Sequence, residues 1–269
     1  MSEDAVIFER IGKTAVITLN RPHRRNALDN SSRDMLIAAI RTVQTDREIR
    51  SVVLTGAGGN FCSGADLAGG VEEGVEEGDK GFLGRDVLLN HQRWCTALMD
   101  LEKPVICAVD GFAVGAGFSL ALAADFVIAG PNARLVANFA RIGFGPDLGL
   151  MYTLPRLVGL ARAKEIVFTA RDIPADEALA LGLVQAVVPA DRLRETAIEM
   201  AQRFDHAPTH VLGAAKRIMN RSYETDREAM LQMEAALQGM CTSGSYSAEA
   251  MRRFFAKEAP LYPGAERLF

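Results

Sequence analysis

The chain has 269 residues, 49 % of them hydrophobic, so it can bury a substantial core as one large domain or as one domain with an appendage. Its 34 acidic residues slightly outnumber its 30 basic ones, and no run of Lys and Arg is long enough to indicate a nucleic-acid partner. The four cysteines form no CxxC pair, residues 1–10 lack a signal-peptide pattern, and no apolar run approaches the roughly 20 residues that span a bilayer. We therefore expect a cytoplasmic protein without a zinc site, a disulfide framework or a membrane segment.

Short runs rich in β-branched residues predict strands that are covered on both faces, because the runs are almost continuously apolar. They lie at residues 14–20, 51–56, 104–111, 125–130 and 183–188. Residues 29–43 begin with capping residues and repeat apolar side chains at helical spacing, and residues 115–124 read as a buried helix. This alternation predicts an α/β core with helices packed on sheets.

Two regions depart from the alternation. Residues 69–84 are rich in glycine and acidic residues, which indicates either a solvated surface loop or a lid over a site. From about residue 190 onwards the patterns are all helical and no strand follows. We therefore predict a core over residues 1–195 and a C-terminal helical region over residues 196–269.

Two glycine turns each follow a predicted strand, at residues 55–67 and 110–124. A glycine turn that opens a helix can present unpaired backbone N–H groups, which suit a developing or full negative charge. Two such turns that converge would form an oxyanion hole; the simpler alternative is that the glycines only allow tight packing of strand against helix. A dinucleotide site is disfavoured, because Phe61 and Leu120 stand where GxGxxG requires its last small residue.

Four stretches in register resemble the crotonase superfamily, also called the enoyl-CoA hydratase/isomerase family. They are residues 19–29 (LNRPHRRNALD), 61–67 (FCSGADL), 103–129 (KPVICAVDGFAVGAGFSLALAADFVIA) and 142–159 (IGFGPDLGLMYTLPRLVG). The resemblance runs from about residue 5 to the final helix. It implies an α/β fold of the crotonase (ClpP-like) type, a spiral of ββα units with a C-terminal helical trimerisation region, assembled as a homotrimer or homohexamer.

In that family two backbone N–H groups hold the carbonyl of an acyl-CoA thioester and stabilise the enolate formed when a proton is lost. By position, the resemblance assigns these groups to Ala65 and Ala116, although Ala116 stands where the family usually has glycine. Asp66 and Leu67 follow Ala65 and are expected to lie against the substrate. Coenzyme A enters only as part of the substrate, and the resemblance implies no metal or redox cofactor.

The resemblance also implies that two glutamates used by the family's hydratases are missing. Ser119 and Phe139 occupy the matching positions, where they are expected to contact the substrate but cannot act as carboxylate bases. Asp147 matches the aspartate of dienoyl-CoA isomerases and 1,2-epoxyphenylacetyl-CoA isomerases, and the nucleophilic aspartate of 4-chlorobenzoyl-CoA dehalogenases. Taken without the family, an Asp that follows Gly-Pro and precedes an apolar helical pattern favours a helix N-cap.

The resemblance further suggests where coenzyme A is bound. Arg25 is the choice within the basic segment of residues 21–25, and Phe254 and Lys257 lie on the C-terminal helix that, in the family, reaches the coenzyme A of a neighbouring subunit. Dehalogenases of the family need a histidine on the helix before residue 103. A count without gaps puts Gln92 at that position, so we expect its neighbour His91 to be a surface or packing residue.

The missing glutamates favour an enoyl-CoA isomerase in which Asp147 moves a proton along the acyl chain of an acyl-CoA substrate. A nonpolar wall near Phe139 would raise the basicity of this carboxylate by desolvation. Three alternatives stay open: a CoA-thioester hydrolase or dehalogenase with Asp147 as nucleophile, an atypical hydratase, and a non-catalytic acyl-CoA binder. The sequence leaves the acyl group itself undetermined.

Overall fold

A six-stranded sheet forms the centre of the computed structural model, which describes residues 4–67 and 80–264. The strands, in the order in which they lie side by side, are β1 Val6–Ile11, β2 Thr14–Leu19, β3 Ser51–Gly56, β4 Val105–Val109, β6 Phe126–Ala129 and β9 Ala186–Val187. β1 pairs antiparallel with β2, and all other neighbours pair in parallel. Residues of β2, β3 and β4 are almost all buried, which explains their apolar sequences.

A second, three-stranded sheet consists of β5 Phe112–Val114, β7 Arg134–Val136 and β8 Asp172–Pro174. β5 directly follows β4, and β7 follows β6, so the chain repeatedly places one strand in the large sheet and the next in the small one. Helix α3, Ala116–Leu122, follows β5 and completes a ββα unit, and all seven of its residues are buried, as predicted. The segment after β3 joins this repeat through a bridge between Cys62 and Ala113.

Nine further helices surround the sheets in the described residues. They are α1 Asn30–Thr45, α2 Lys80–Met99, α4 Leu150–Val158, α5 Leu160–Thr169, α6 Ala175–Ala180, α7 Leu193–Gln202, α8 Thr209–Met219, α9 Arg227–Thr242 and α10 Ser245–Ala256. Residues 69–79 of the predicted loop or lid lie outside the described residues, whereas residues 80–84 begin α2. No helix in the described part of the chain is long and apolar enough to cross a membrane.

The large sheet is packed on both faces. Helices α1 and α2 contribute Leu36 and Trp94 to the main core, and α7 packs on the opposite face against β2, β3, β4 and β6. The predicted boundary at residues 195/196 therefore falls inside α7, a helix that covers the sheet. The helices without buried residues, α9 and α10, come later, and the division into two domains stays a prediction.

Candidate functional site

The two glycine turns converge, because their backbones are hydrogen-bonded to each other. The N–H of Val114 donates to the carbonyl of Cys62 at 2.9 Å, and the N–H of Cys62 donates to the carbonyl of Phe112 at 2.8 Å. A Cβ on Gly117 would lie 2.2 Å from the Cys62 carbonyl oxygen, and a Cβ on Gly64 would lie 2.8 Å from that of Val114. The glycines therefore allow the close approach that brings the turns together, whereas the oxyanion hole stays a prediction.

This approach places two unpaired backbone donors side by side. In the described residues the N–H groups of Ala65 and Ala116 have no backbone acceptor, and a Cβ built on Gly64 would lie 3.6 Å from the Ala116 nitrogen. The left-handed conformation in the second turn belongs to Gly115 (φ 53°), so the alanine at 116 is unstrained. The arrangement can bind a carbonyl oxygen and stabilise negative charge on it.

Asp147 lies half-buried in front of α4 but does not cap it. Helix α4 begins at Leu150 with Gly149 as its N-cap residue, no side chain makes a cap hydrogen bond there, and Leu148 takes a left-handed conformation (φ 48°) that turns the chain. The Oδ1 atom of Asp147 is buried and has no hydrogen-bond partner in the described part of the chain. The N-cap interpretation is therefore wrong, and the carboxylate is available for chemistry.

Burial raises the pKa of Asp147 to about 6, while the positive charge of Arg33 and the residue's own backbone N–H partly oppose this rise. A carboxyl group with this pKa is largely ionised at neutral pH and is more basic than an ordinary aspartate. It can therefore both take up and release a proton near neutral pH.

Two side chains hold the backbone around Asp147. The hydroxyl of Ser119 donates to the carbonyl oxygen of Asp147 at 3.0 Å, and the thiol of Cys95 donates to that of Leu148 at 3.0 Å. Burial, followed by the charge of Asp147, raises the pKa of Cys95 to about 12, which keeps the thiol protonated. Ser119 is only 1 % exposed. The prediction that it contacts the substrate is wrong, because its hydroxyl is used inside the fold to support the Asp147 loop.

Replacing Ser119 by alanine is expected to lower kcat about 10-fold while KM changes less than about threefold, because a small displacement of Asp147 affects the reaction more than binding. Stopped-flow or coupled assays of thioester conversion measure both constants. Cys95→Ser retains a donor to Leu148 and serves as the matched variant with near-native kcat. An unchanged kcat in the Ser119 variant would show that the hydroxyl does not position the carboxylate.

Arg33 lies close enough to Asp147 to lower its pKa, and the sequence reasoning missed it; it contacts His91, which the sequence analysis considered. Nη1 of Arg33 donates to Nε2 of His91 at 3.2 Å, so Nε2 carries no proton. Burial, followed by the charge of Arg33, lowers the pKa of His91, and the prediction that His91 is a surface or packing residue stands. The available signal was helical spacing, since Arg33 shares the α1 stripe of the buried Leu36 and Ile40.

The other predicted residues around the turns have mixed roles. Phe139 is 5 % exposed, and its ring lies about 4 Å from the position of a Cβ on Gly115, so it packs beside the second glycine turn; its predicted effect on Asp147 stays a prediction. Leu67 is exposed and open to a ligand. Asp66 forms an ion pair with Arg21 at 3.0 Å, which gives it a structural role in the loop.

The predicted coenzyme A contacts lie in two places. The carbonyl oxygen of Arg25 accepts a hydrogen bond from the Ser63 N–H at 3.0 Å, so Arg25 adjoins the first glycine turn. The guanidinium of Arg25 lies over the Phe112 ring, 5.3 Å from its centroid. Phe254 and Lys257 lie at the end of α10, which packs on α9. None of the contacts described within the chain joins them to Asp147, and their role in a neighbouring subunit stays a prediction.

The sequence matches the family model described as "Enoyl-CoA hydratase/isomerase" over residues 9–265. It is 39 % identical over 260 residues to a short-chain-enoyl-CoA hydratase of Clostridium acetobutylicum, covering 96 % of this chain and 97 % of that one. It is 34 % identical over 249 residues to a 1,2-epoxyphenylacetyl-CoA isomerase of Escherichia coli, covering 92 % of this chain and 94 % of that one. The crystal structure of an enoyl-CoA hydratase/isomerase from Cupriavidus metallidurans superposes with a TM-score of 0.90 at 35 % identity, covering 99 % of both chains.

Proposed function

The chain belongs to the enoyl-CoA hydratase/isomerase family, and on that premise we propose that it is an isomerase that shifts the double bond of an enoyl-CoA thioester. The observation that carries the proposal is the carboxylate of Asp147, which caps no helix and has a raised pKa, while Ser119 and Phe139 occupy the positions where the resemblance expects two glutamates. One carboxylate that exchanges a proton suffices for isomerisation.

In the proposed reaction the thioester carbonyl oxygen accepts hydrogen bonds from the N–H groups of Ala65 and Ala116. Asp147 takes a proton from one carbon of the acyl chain, and the electron pair left behind delocalises into a dienolate whose negative oxygen these donors stabilise. The protonated carboxyl group then returns a proton to a different carbon, so the double bond moves and no atom is gained or lost. Burial of Asp147 keeps the carboxylate partly desolvated and therefore basic.

Hydration is the second candidate, and it is favoured by relatives named short-chain-enoyl-CoA hydratase and crotonyl-CoA hydratase. In this chain the water would have to be held and activated by Asp147 without a second carboxylate. The hydrolase or dehalogenase alternative is disfavoured, because Nε2 of His91 already accepts from Arg33 and cannot readily accept a proton from water.

The test is incubation of the protein in D₂O with 3-enoyl-CoA and 2-enoyl-CoA thioesters of equal chain length, followed by mass spectrometry. Deuterium uptake with double-bond migration supports the isomerase. A 3-hydroxyacyl-CoA product supports the hydratase. Free acid with released coenzyme A indicates hydrolysis, and binding without any exchange indicates a non-catalytic binder.

The rate is expected to depend on pH through Asp147. Because the base must be ionised to accept a proton, kcat/KM should fall as the pH drops through about 6, the pKa of this carboxyl group. A pH profile of kcat/KM between pH 4.5 and 8.5 measures this fall on the acidic side. A profile that stays flat down to pH 5 would contradict the assignment of Asp147 as the base.

We also propose that α9 and α10 mediate assembly into a homotrimer or homohexamer. Neither helix has a buried residue, and both expose large apolar side chains, namely Leu231, Met240, Met251, Phe254 and Phe255. Analytical ultracentrifugation of a chain that ends at residue 249 tests this. We expect smaller particles and weaker acyl-CoA binding, and an unchanged assembly with unchanged affinity would exclude this role for α10.

A further inference from the structure

The guanidinium of Arg33 forms hydrogen bonds along one edge, and its other edge has no partner in residues 4–67 and 80–264. Nη1 makes both recorded hydrogen bonds, to Oδ1 of Asn30 and to Nε2 of His91, each at 3.2 Å. Both acceptors are uncharged. Nε and Nη2 make no hydrogen bond to these residues, and together they present the two parallel N–H groups that suit a carboxylate.

The nearby carboxylates do not use this edge. Asp29 and Asp66 both pair with Arg21, at 3.1 and 3.0 Å. Asp147 is close enough for Arg33 to lower its pKa, yet the two form no ion pair within 4.0 Å among the described contacts. Arg33 is thus a half-buried cation that forms no ion pair within 4.0 Å among the described contacts, although the charges of Asp29, Asp147 and Asp66 act on it from a greater distance.

The position of Arg33 relative to the substrate follows from the backbone contacts of α1. Leu28, just before the cap of α1, forms a bridge with Ala65, so the first turn of the helix is fixed beside the oxyanion donors. His91 joins Arg33 to α2, and Cys95, one turn further along α2, bonds the residue after Asp147. These contacts therefore connect Arg33 both to the segment that carries Ala65 and, through α2, to the loop that carries Asp147.

We propose that Arg33 binds a carboxylate on the acyl group, so that the substrates are monothioesters of coenzyme A with unsaturated dicarboxylic acids. This assignment of substrate class rests on the proposed function. A plain hydrocarbon chain would remove water from the guanidinium without supplying an acceptor, which is unfavourable, whereas a carboxylate would form two charge-assisted hydrogen bonds. The phosphates of coenzyme A are the other possible source of anionic oxygen, and the experiment separates the two.

The experiment measures binding by calorimetry and uses glutaryl-CoA, pentanoyl-CoA and free coenzyme A as probes. The two thioesters have five-carbon acyl groups, differ in the terminal carboxylate, and have no double bond to move, so the result does not depend on the isomerase reaction. The proteins are the native chain, Arg33→Gln and Arg33→Lys, with Arg41→Gln, an exposed arginine of the same helix, as the matched control.

We expect the native protein to bind glutaryl-CoA more tightly than pentanoyl-CoA, and Arg33→Gln to weaken glutaryl-CoA binding about 10- to 100-fold without affecting pentanoyl-CoA. Arg33→Lys should recover only part of this preference, since lysine lacks the paired N–H edge. Retained pentanoyl-CoA binding shows that the variants are folded. Equal weakening of all three ligands would assign Arg33 to the coenzyme A phosphates, and no preference in the native protein would overturn the proposal.

Discussion

Asp147→Asn is expected to slow double-bond migration by about 10²- to 10⁴-fold, the range by which a positioned general base accelerates proton transfer. The amide has nearly the shape of the carboxylate but cannot accept the proton, so substrate binding should persist while kcat falls. Deuterium exchange in D₂O should disappear together with migration. Asp172→Asn, at an exposed position on β8, is the matched control and should keep native rates.

Stability measurements on the same variant show whether the loss of activity comes from unfolding. Asp147 has a folded-state pKa of about 6, above its ordinary value of 3.8, so the folded protein disfavours the ionised form. The contribution of Asp147 to stability should therefore fall as pH rises from about 4 through 6, and the variant should be more stable than the native chain at pH 7.5, by at most about 3 kcal/mol. This gain should vanish near pH 4.

Urea titrations at pH 7.5 and pH 4 check whether the variant is more stable than the native chain at the higher pH only. A variant that is less stable at both pH values would mean that the lost activity reflects damage to the fold. Exchange and migration at native rates in a stable variant would remove Asp147 from the mechanism.

Gly117→Ala should disrupt the oxyanion site, with a loss of about 10²- to 10³-fold in kcat, comparable to removal of one donor from such a site. The new Cβ would lie 2.2 Å from the carbonyl oxygen of Cys62, which belongs to the other turn, so the two turns must move apart. That movement separates the N–H groups of Ala65 and Ala116. Steady-state kinetics with an enoyl-CoA thioester measures the effect.

The matched control for this variant is Gly239→Ala, in α9. No atom of the described residues lies within 4 Å of the position of its Cβ, and alanine favours a helix over glycine by about 1 kcal/mol, so this control should be neutral or slightly stabilising. In Gly117→Ala the steric overlap of the new Cβ with the Cys62 carbonyl oxygen outweighs the helix preference of alanine. We therefore expect lower stability as well as lower kcat. Native kcat in Gly117→Ala would show that the turns need not approach so closely.

Much of the architecture could be predicted because it follows from local patterns and from resemblance. The crotonase fold is confirmed by the family match and by the superposition on solved enoyl-CoA hydratases. The buried strands and the buried α3 followed from their continuous apolar sequences. The turns that carry Ala65 and Ala116 were recognisable because close backbone approach requires glycine, whichever partner the turn meets.

The sequence by itself thus determined the fold, the family and the two turns, since hydrophobic periodicity and glycine placement act over a few neighbouring residues. It could not decide whether Asp147 caps a helix, because the outcome depends on the left-handed Leu148 and on donors from Ser119 and Cys95 that are distant in the chain. Arg33 and His91 likewise lie 58 positions apart and acquire their roles only when α1 and α2 pack. Only the tertiary structure decided these roles, because the pKa and hydrogen bonding of a polar side chain are set by its surroundings in space.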